Sequence, residues 1–400
     1  MGSPRCRQHR RSSQRSQLEI LPDAPVIVLP FRVCGRAEPP GPYASDFAIS
    51  SKVRIMMTLL RQNLLSGTVF YKELLSKPQL AMRTLEGIAL SPKAPEPIVV
   101  QLPDIGRPED IVQLLNRVFF RDEAHSDFAC WALMRSVGRA EQEIVESTCD
   151  VPSGEEHITG QFFQAIREGL AQLRHQVPNS NEIPLSLAAA NMTGKRAERS
   201  TGGDMGIIVR TVGTGGNSIF KSAVIQAKKA NANGFANCRH TTRSTGISQI
   251  ERLRAVPGLG HYIFYHAPNA EGVVLPPTMC SVHTVATSGA IHRFDAAAPP
   301  TVTAAAYIAY MLAGHEDSRV GALTRRPEDA AARVFAGLAE LNAAENRITV
   351  IDTSTTGRMS WEQWRKYLFD AQRDEHRLRS GVPQATRSPG NDGGQTDNAP

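Results

Sequence analysis

The sequence predicts an α/β fold, and three observations predict it. "GIIVRTV" and "SIFKSAVIQAK", on either side of the glycine-rich break "GTGGN", read as a β-hairpin rich in β-branched residues. "EEHITGQFFQAIREGLAQLRHQ" before it and "ISQIERLRAV" after it repeat apolar residues at helical spacing. "HYIFYH" reads as a further strand, ended by Pro268 and Asn269. With a Pro-bounded strand at "LSLAAAN", the order is helix, strand, hairpin, helix, strand. Helices can then cover a mixed sheet.

The flanking elements follow from local signals. Residues 1–45 are rich in Arg and Pro and read as a basic, disordered arm, with one short strand at Pro25–Leu29. The first sixteen residues hold five arginines and no acid, and lack the apolar stretch of a secretory signal. Residues 46–150 read as a mainly helical domain. "SKVRIMMTLLRQNLL" has helical spacing, "RPEDIVQLLNRVFF" starts with Pro108 and two acids, and "DFACWALMRSVGRAEQEIVE" continues the pattern. Residues 151–290 form the α/β domain, in which "GVVLP" is a further possible strand. Residues 291–378 read as a helical C-terminal region with one strand, "RITVID". Trp361 and Trp364 share one packed helix face. Residues 379–400 are polar and Gly/Pro-rich, the composition of a disordered tail.

Charge is unevenly placed. The chain carries a net charge of +6, yet Lys195–Arg254 alone holds 11 Lys/Arg against 3 Asp/Glu, a balance of +8. Such a segment is either a solvated basic face or a phosphate-binding surface. The six cysteines are scattered without a C-x-x-C pair, which argues against a zinc ribbon or disulfide scaffold and suits a reducing, cytoplasmic setting. No run of 18 apolar residues predicts a membrane span.

The hairpin carries the chemistry. With the turn centred on Gly215, Asp204 lies eleven residues before it and Gln226 eleven after, so the two face each other across the strands. Alternation puts Lys228 on the Gln226 face and turns Ala227 and Lys229 away. The bland reading is an ordinary hairpin with solvated ends. The sharper one is a carboxylate, an amide oxygen and an ammonium gathered at one sheet edge. Phosphodiester hydrolysis requires such groups: Mg²⁺ takes hard oxygen ligands, and an ammonium beside it stabilises phosphoryl charge. A second acid is then needed. Glu198 lies six residues before Asp204. Glu155 opens the preceding helix and leans toward its buried face, whereas Glu156 fits a capping box with Ser153. The glycines at 213–216 lack a following Gly-Lys-Ser/Thr and are a turn, not a phosphate loop. Cys238, His240, His261 and His266 match no zinc spacing.

The combination "TGGD", the hairpin, "QAKK", the preceding "EEHIT" helix and the following "SQIERL…HYIFYH" resembles the restriction-endonuclease-like nucleases, the PD-(D/E)xK superfamily. It is most similar to the branch whose last motif reads Q-x-K, over about residues 153–275. The resemblance implies a core of helix, three-stranded meander, helix and strand, flanked by mainly helical regions. It implies Asp204 as central metal ligand, Gln226 in the second acid's place through its carbonyl, Lys228 as catalytic lysine and Glu155 as the helical acid. Glu198 would compensate for the missing acid, and Gln249 would support the site. The departures are Gly203 where the pattern has proline, a 24-residue interval from Asp204 to Lys228, and the amide at 226.

The implied activity is a Mg²⁺- or Mn²⁺-dependent endonuclease of double-stranded DNA, in bacterial restriction or anti-phage defence. It would act as a homodimer or with a partner protein of the defence system. The alternatives are a nucleic-acid-binding module that does not cleave, or an interaction protein whose hairpin is only structural.

Overall fold

In a computed structural model, the described residues are 71–102, 107–120, 127–148, 154–176, 186–189, 204–212, 216–239, 248–255, 257–316, 320–337, 348–353 and 359–380. They belong to one compact unit, Lys52–Pro400. The basic arm, the strand expected at Pro25–Leu29, the helix expected over "SKVRIMMTLLRQNLL", Ser153, Glu198, Gly203 and residues 381–400 of the tail lie outside the described residues.

Helices form where the sequence places their start signals. Pro108–Phe120 opens with a proline and two acids. Phe128–Thr148 begins behind Asp127, whose carboxylate accepts the backbone N–H of Cys130 at 3.0 Å. Glu155–Gln176 follows. Gln249–Arg254 opens with a complete capping box between Ser248 and Glu251. The C-terminal half adds Val282–Thr287, Ala304–Ala306 running into a π-helical turn at Tyr307–Leu312, Pro327–Gly337 and Trp361–Ser380.

The strands are β1 (Ser186–Ala189), β2 (Met205–Val212), β3 (Ser218–Ala230), β4 (Phe235–Ala236), β5 (Gly260–His266), β6 (Thr278–Ser281), β7 (Phe294–Asp295), β8 (Val302–Thr303), β9 (Ala322–Thr324) and β10 (Ile348–Asp352). They join one mixed sheet with the path β1-β10-β2-β3-β5-β6-β8. β9 pairs with β3, and β4 bridges β3 and β7. β2 and β3 are antiparallel, with Met205 opposite Ile225 and Val212 opposite Ser218. This register centres on residue 215.

The sheet is covered on both faces, and alternation sorts its residues. Ile207, Val209, Ala223 and Ile225 point into a core shared with Phe128–Thr148, Glu155–Gln176 and Ala304–Leu312. Ile208, Phe220, Val224 and Phe264 point into a second core under Pro327–Gly337 and Trp361–Ser380. Trp364 is buried there, edge-on to Phe220. Of the helices expected in the 46–150 region, Pro108–Phe120 and Phe128–Thr148 contribute to the first core, whose members range from Tyr71 to Ile351.

Two expectations are corrected. The three-stranded meander does not form. β1 pairs with β10 rather than β2, and β10 lies between them, antiparallel to β1 and parallel to β2. The physical reason is burial: all five residues of β10 are buried, and Asp352 pairs with Arg210 of β2 inside the protein. The C-terminal strand is thus part of the central sheet. The segment "GVVLP" is not a strand. Asn269 Oδ1 accepts the N–H of Val273 at 2.8 Å, and Pro276 and Pro277 have no N–H to offer a ladder. The strand starts only at Thr278, opposite Phe264.

Candidate active site

β3 is longer than β2, and the site is built on the overhang. On one edge, β3 pairs with β2 up to Ile225, whose carbonyl accepts the Asp204 N–H at 2.8 Å. Backbone groups of alternate residues point to the same edge, so the N–H groups of Ala227 and Lys229 face the space where β2 has ended. Two carboxylates take the place of the missing strand. Asp204 Oδ2 accepts the Ala227 N–H at 2.8 Å, and Glu155 Oε1 accepts the Lys229 N–H at 2.8 Å. Those amides are about 7 Å apart along the strand. Beyond them, β4 resumes the pairing at Ala230. On the other edge, β5 runs parallel to β3 from Val224 to Ala230.

The expected facing of Asp204 and Gln226 is present. Asp204 precedes Met205, the partner of Ile225, and Gln226 Nε2 donates to Asp204 Oδ2 at 2.5 Å. Gln226 and Lys228 share a face of β3. Lys228 is half-buried near Cys238, and Cys238 itself is buried. Burial pushes the Cys238 thiol up to about 12, Lys228 pulls it down and Glu155 pushes it up. The thiol is therefore protonated at neutral pH. The structure thus gathers Glu155, Asp204 and Gln226 along the overhang of β3, and Lys228 lies on the Gln226 face of the same strand; Glu198 lies outside the described residues.

Gln249 joins this group directly. The capping box fixes the helix start, and Gln249, its first residue, donates Nε2 to Gln226 Oε1. Two tyrosines were not legible as site residues. Tyr262 sits opposite Gln226 on β5. Burial raises its hydroxyl pKa most, followed by Cys238, Cys280 and Asp204. Tyr265, on the opposite face, is raised mainly by burial and further by Asp204 and Glu155, while Thr159 lowers it. Alternation in "HYIFYH" was the available signal, but the neighbours that make it informative are distant in sequence. The Tyr262 hydroxyl and Gln249 Oε1 are buried without a hydrogen-bond partner.

The donor set fits a hard divalent cation in part. Asp204 and Glu155 each commit one oxygen to β3 backbone, which fixes both carboxylates at the strand edge. Mg²⁺ is commonly held by one or two carboxylates together with water and substrate phosphate. The amide of Gln226, however, presents nitrogen to Asp204. Among the described residues, no group of three or more His, Cys, Asp or Glu side chains is placed to hold a metal ion. His261 and His266 are engaged in the core: His261 bonds Tyr307 and the Gly258 carbonyl, and His266 bonds Thr278. No described helix is long and apolar enough to cross a membrane. Compared with family models, curated proteins and solved structures, the chain gives no match.

Proposed function

We propose that the chain is a divalent-metal-dependent nuclease that hydrolyses phosphodiester bonds of double-stranded DNA. One observation carries this reading: the overhang of β3, the strand that bears Gln226 and Lys228, holds two carboxylates, Asp204 and Glu155, at its edge. Asp204 and Glu155 would hold Mg²⁺ or Mn²⁺. The bound ion supplies a water of lowered pKa and offsets charge on the phosphoryl oxygens. Lys228, projecting from the same strand face as Gln226, would place its ammonium against those oxygens. Tyr262 and Gln249 enclose the amide side of the group. The basic balance of Lys195–Arg254 favours a polyanionic substrate. Supercoiled plasmid incubated with Mg²⁺ or Mn²⁺ tests the reading. Cleavage by the wild type and its loss in Asp204→Ala and Lys228→Ala are expected; equal nicking by all three would sink it.

A second reading is favoured by the Gln226 nitrogen turned toward Asp204. In it, the chain binds nucleic acid without cleaving it. Salt-sensitive DNA binding with no product under any divalent ion would select this reading.

A further inference from the structure

Gln226 faces Asp204 with the end of its amide that no cation accepts. Its nitrogen donates to Asp204 Oδ2 at 2.5 Å and to the Ala227 carbonyl at 3.0 Å. Its carbonyl oxygen accepts from Gln249 Nε2, and Gln249 Oε1 has no partner. Both side chains are enclosed, Gln226 at 3% and Gln249 at 6% exposure. We infer that Gln226 and Gln249 form a two-position amide pair, in which Gln249 is the positioning residue that lets Gln226 present nitrogen to Asp204 when no divalent cation is bound and oxygen to the cation when one is.

The argument is one of donors and acceptors. An amide has both, so two amides in contact can bond in either sense. Half a turn of each about its last side-chain torsion keeps the Gln–Gln bond and exchanges its roles. Gln226 Nε2 then donates to Gln249 Oε1, the oxygen that now lacks a donor. The two bonds from Gln226 Nε2 to Asp204 and to the Ala227 carbonyl do not survive the turn. The Gln226 oxygen would then face a carboxylate oxygen and a backbone oxygen. That grouping is repulsive when bare and favourable around a hard cation. The charge beside Asp204 therefore selects the orientation of both glutamines. A residue that only donates, or only accepts, at 249 would hold Gln226 in one orientation. Burial matters here, because water cannot replace a lost partner at an enclosed amide.

This inference rests on Asp204 as a cation ligand, and its test separates the two. Full-length wild-type protein, labelled with ¹⁵N in glutamine, is titrated with Mg²⁺ in the absence of DNA. Mn²⁺ affinity is measured by calorimetry on the same protein. Q226L and Q249L each delete one pair of side-chain NH₂ signals and so assign them. Both pairs are expected to shift together as Mg²⁺ binds. Binding that leaves both pairs unmoved overturns the amide pair and leaves the cation site standing. No Mg²⁺ or Mn²⁺ binding at millimolar concentration overturns both. The variant Q249E, an acceptor only when ionised, is expected to bind Mn²⁺ about tenfold more tightly. Most of that gain should vanish in the Q226L background. A gain that persists in full there marks simple charge attraction and overturns the role assigned to Gln249.

Discussion

The Arg210 guanidinium meets the Asp352 carboxylate at 3.1 Å, with Asp352 fully buried, and the two are register partners across β2 and β10. Arg210 also reaches Ser218 Oγ, so the pair ties the C-terminal strand to the candidate catalytic hairpin. Asp352→Ala leaves a buried cation without its partner and is expected to cost about 3–5 kcal/mol. Replacing both residues with apolar ones of similar volume should cost much less, because no lone charge remains. Urea unfolding of the two variants reads the difference.

Asp204 has two roles that one substitution can separate. Its carboxylate accepts the Ala227 N–H and would hold a cation. Asp204→Asn keeps an acceptor for that N–H but loses the charge. It should stay within about 1 kcal/mol of wild type, because the backbone donor keeps an acceptor, and lose cleavage. Asp204→Ala leaves the backbone donor bare and should lose cleavage together with about 1–3 kcal/mol. Thermal unfolding alongside plasmid cleavage distinguishes the two, and equal melting of the variants would contradict the backbone role.

Lys228 differs because its ammonium bonds no described backbone group. Lys228→Ala is expected to lower the cleavage rate by about 10²-fold or more, on the scale of a lost transition-state donor. Its melting temperature should stay close to that of the wild type. A rate loss with an unchanged KM for DNA would place the ammonium at the reacting phosphate rather than at a binding contact.

Glu141, His261 and His266 together should favour the fold most near pH 6.5. Glu141 is fully buried; burial raises its carboxyl to about 8 from the usual 4.5, against the lowering effect of bonds from Tyr71 and Ala305. The folded state then holds this proton more firmly than the unfolded chain, so stability falls as pH rises from 4.5 to 8. Burial lowers His261 and His266 to about 4 from 6.5, so these two weaken the fold as pH falls from 6.5 to 4. Each group contributes a slope of about 1.4 kcal/mol per pH unit in its window. Between 4.5 and 6.5 the two histidines outweigh the one acid, and above 6.5 the acid acts alone. Glu141→Gln should remove the decline between pH 6.5 and 8 in urea titrations.

Gly260 sets how closely the Gln249 helix approaches the sheet. A Cβ there would lie 2.3 Å from the Leu253 carbonyl oxygen. Gly260→Ala must push Gln249–Arg254 outward, at about 1–3 kcal/mol. The same shift pulls Gln249 from Gln226. A melting shift without any change in Mn²⁺ affinity would show the two glutamines to be independent of this packing.

The hairpin was legible because it is local. Its register follows from the turn centre and a period of two, so Asp204, Gln226 and Lys228 could be placed by counting. Glu155 was legible as a misplaced charge near the apolar stripe of its helix, but not as the acceptor for Lys229, a contact 74 residues away. The position of β10 left no local trace. "ITVID" is a buried strand wherever it inserts, and its partner is chosen by Arg210 and by the open edge of β2. The tyrosines escaped for the same reason: their meaning lies in neighbours from other elements. Gln249 was legible as a supporting residue through the resemblance, but its contact with Gln226 was not.

The place of β10 has a consequence for the order in which the protein comes into being. β2 leaves the ribosome long before its parallel neighbour, since Arg210 and Asp352 are 142 residues apart. A chain stopped at Gly337 has every described member of the candidate cleavage group and no partner for that edge of β2. It is expected to be protease-sensitive and inactive, whereas a chain stopped at Ser380 is expected to be resistant. The centre that would cut DNA is thus completed only when a strand 142 residues further along the chain has joined it, so a chain stopped short of β10 would hold the proposed groups on an unfinished sheet.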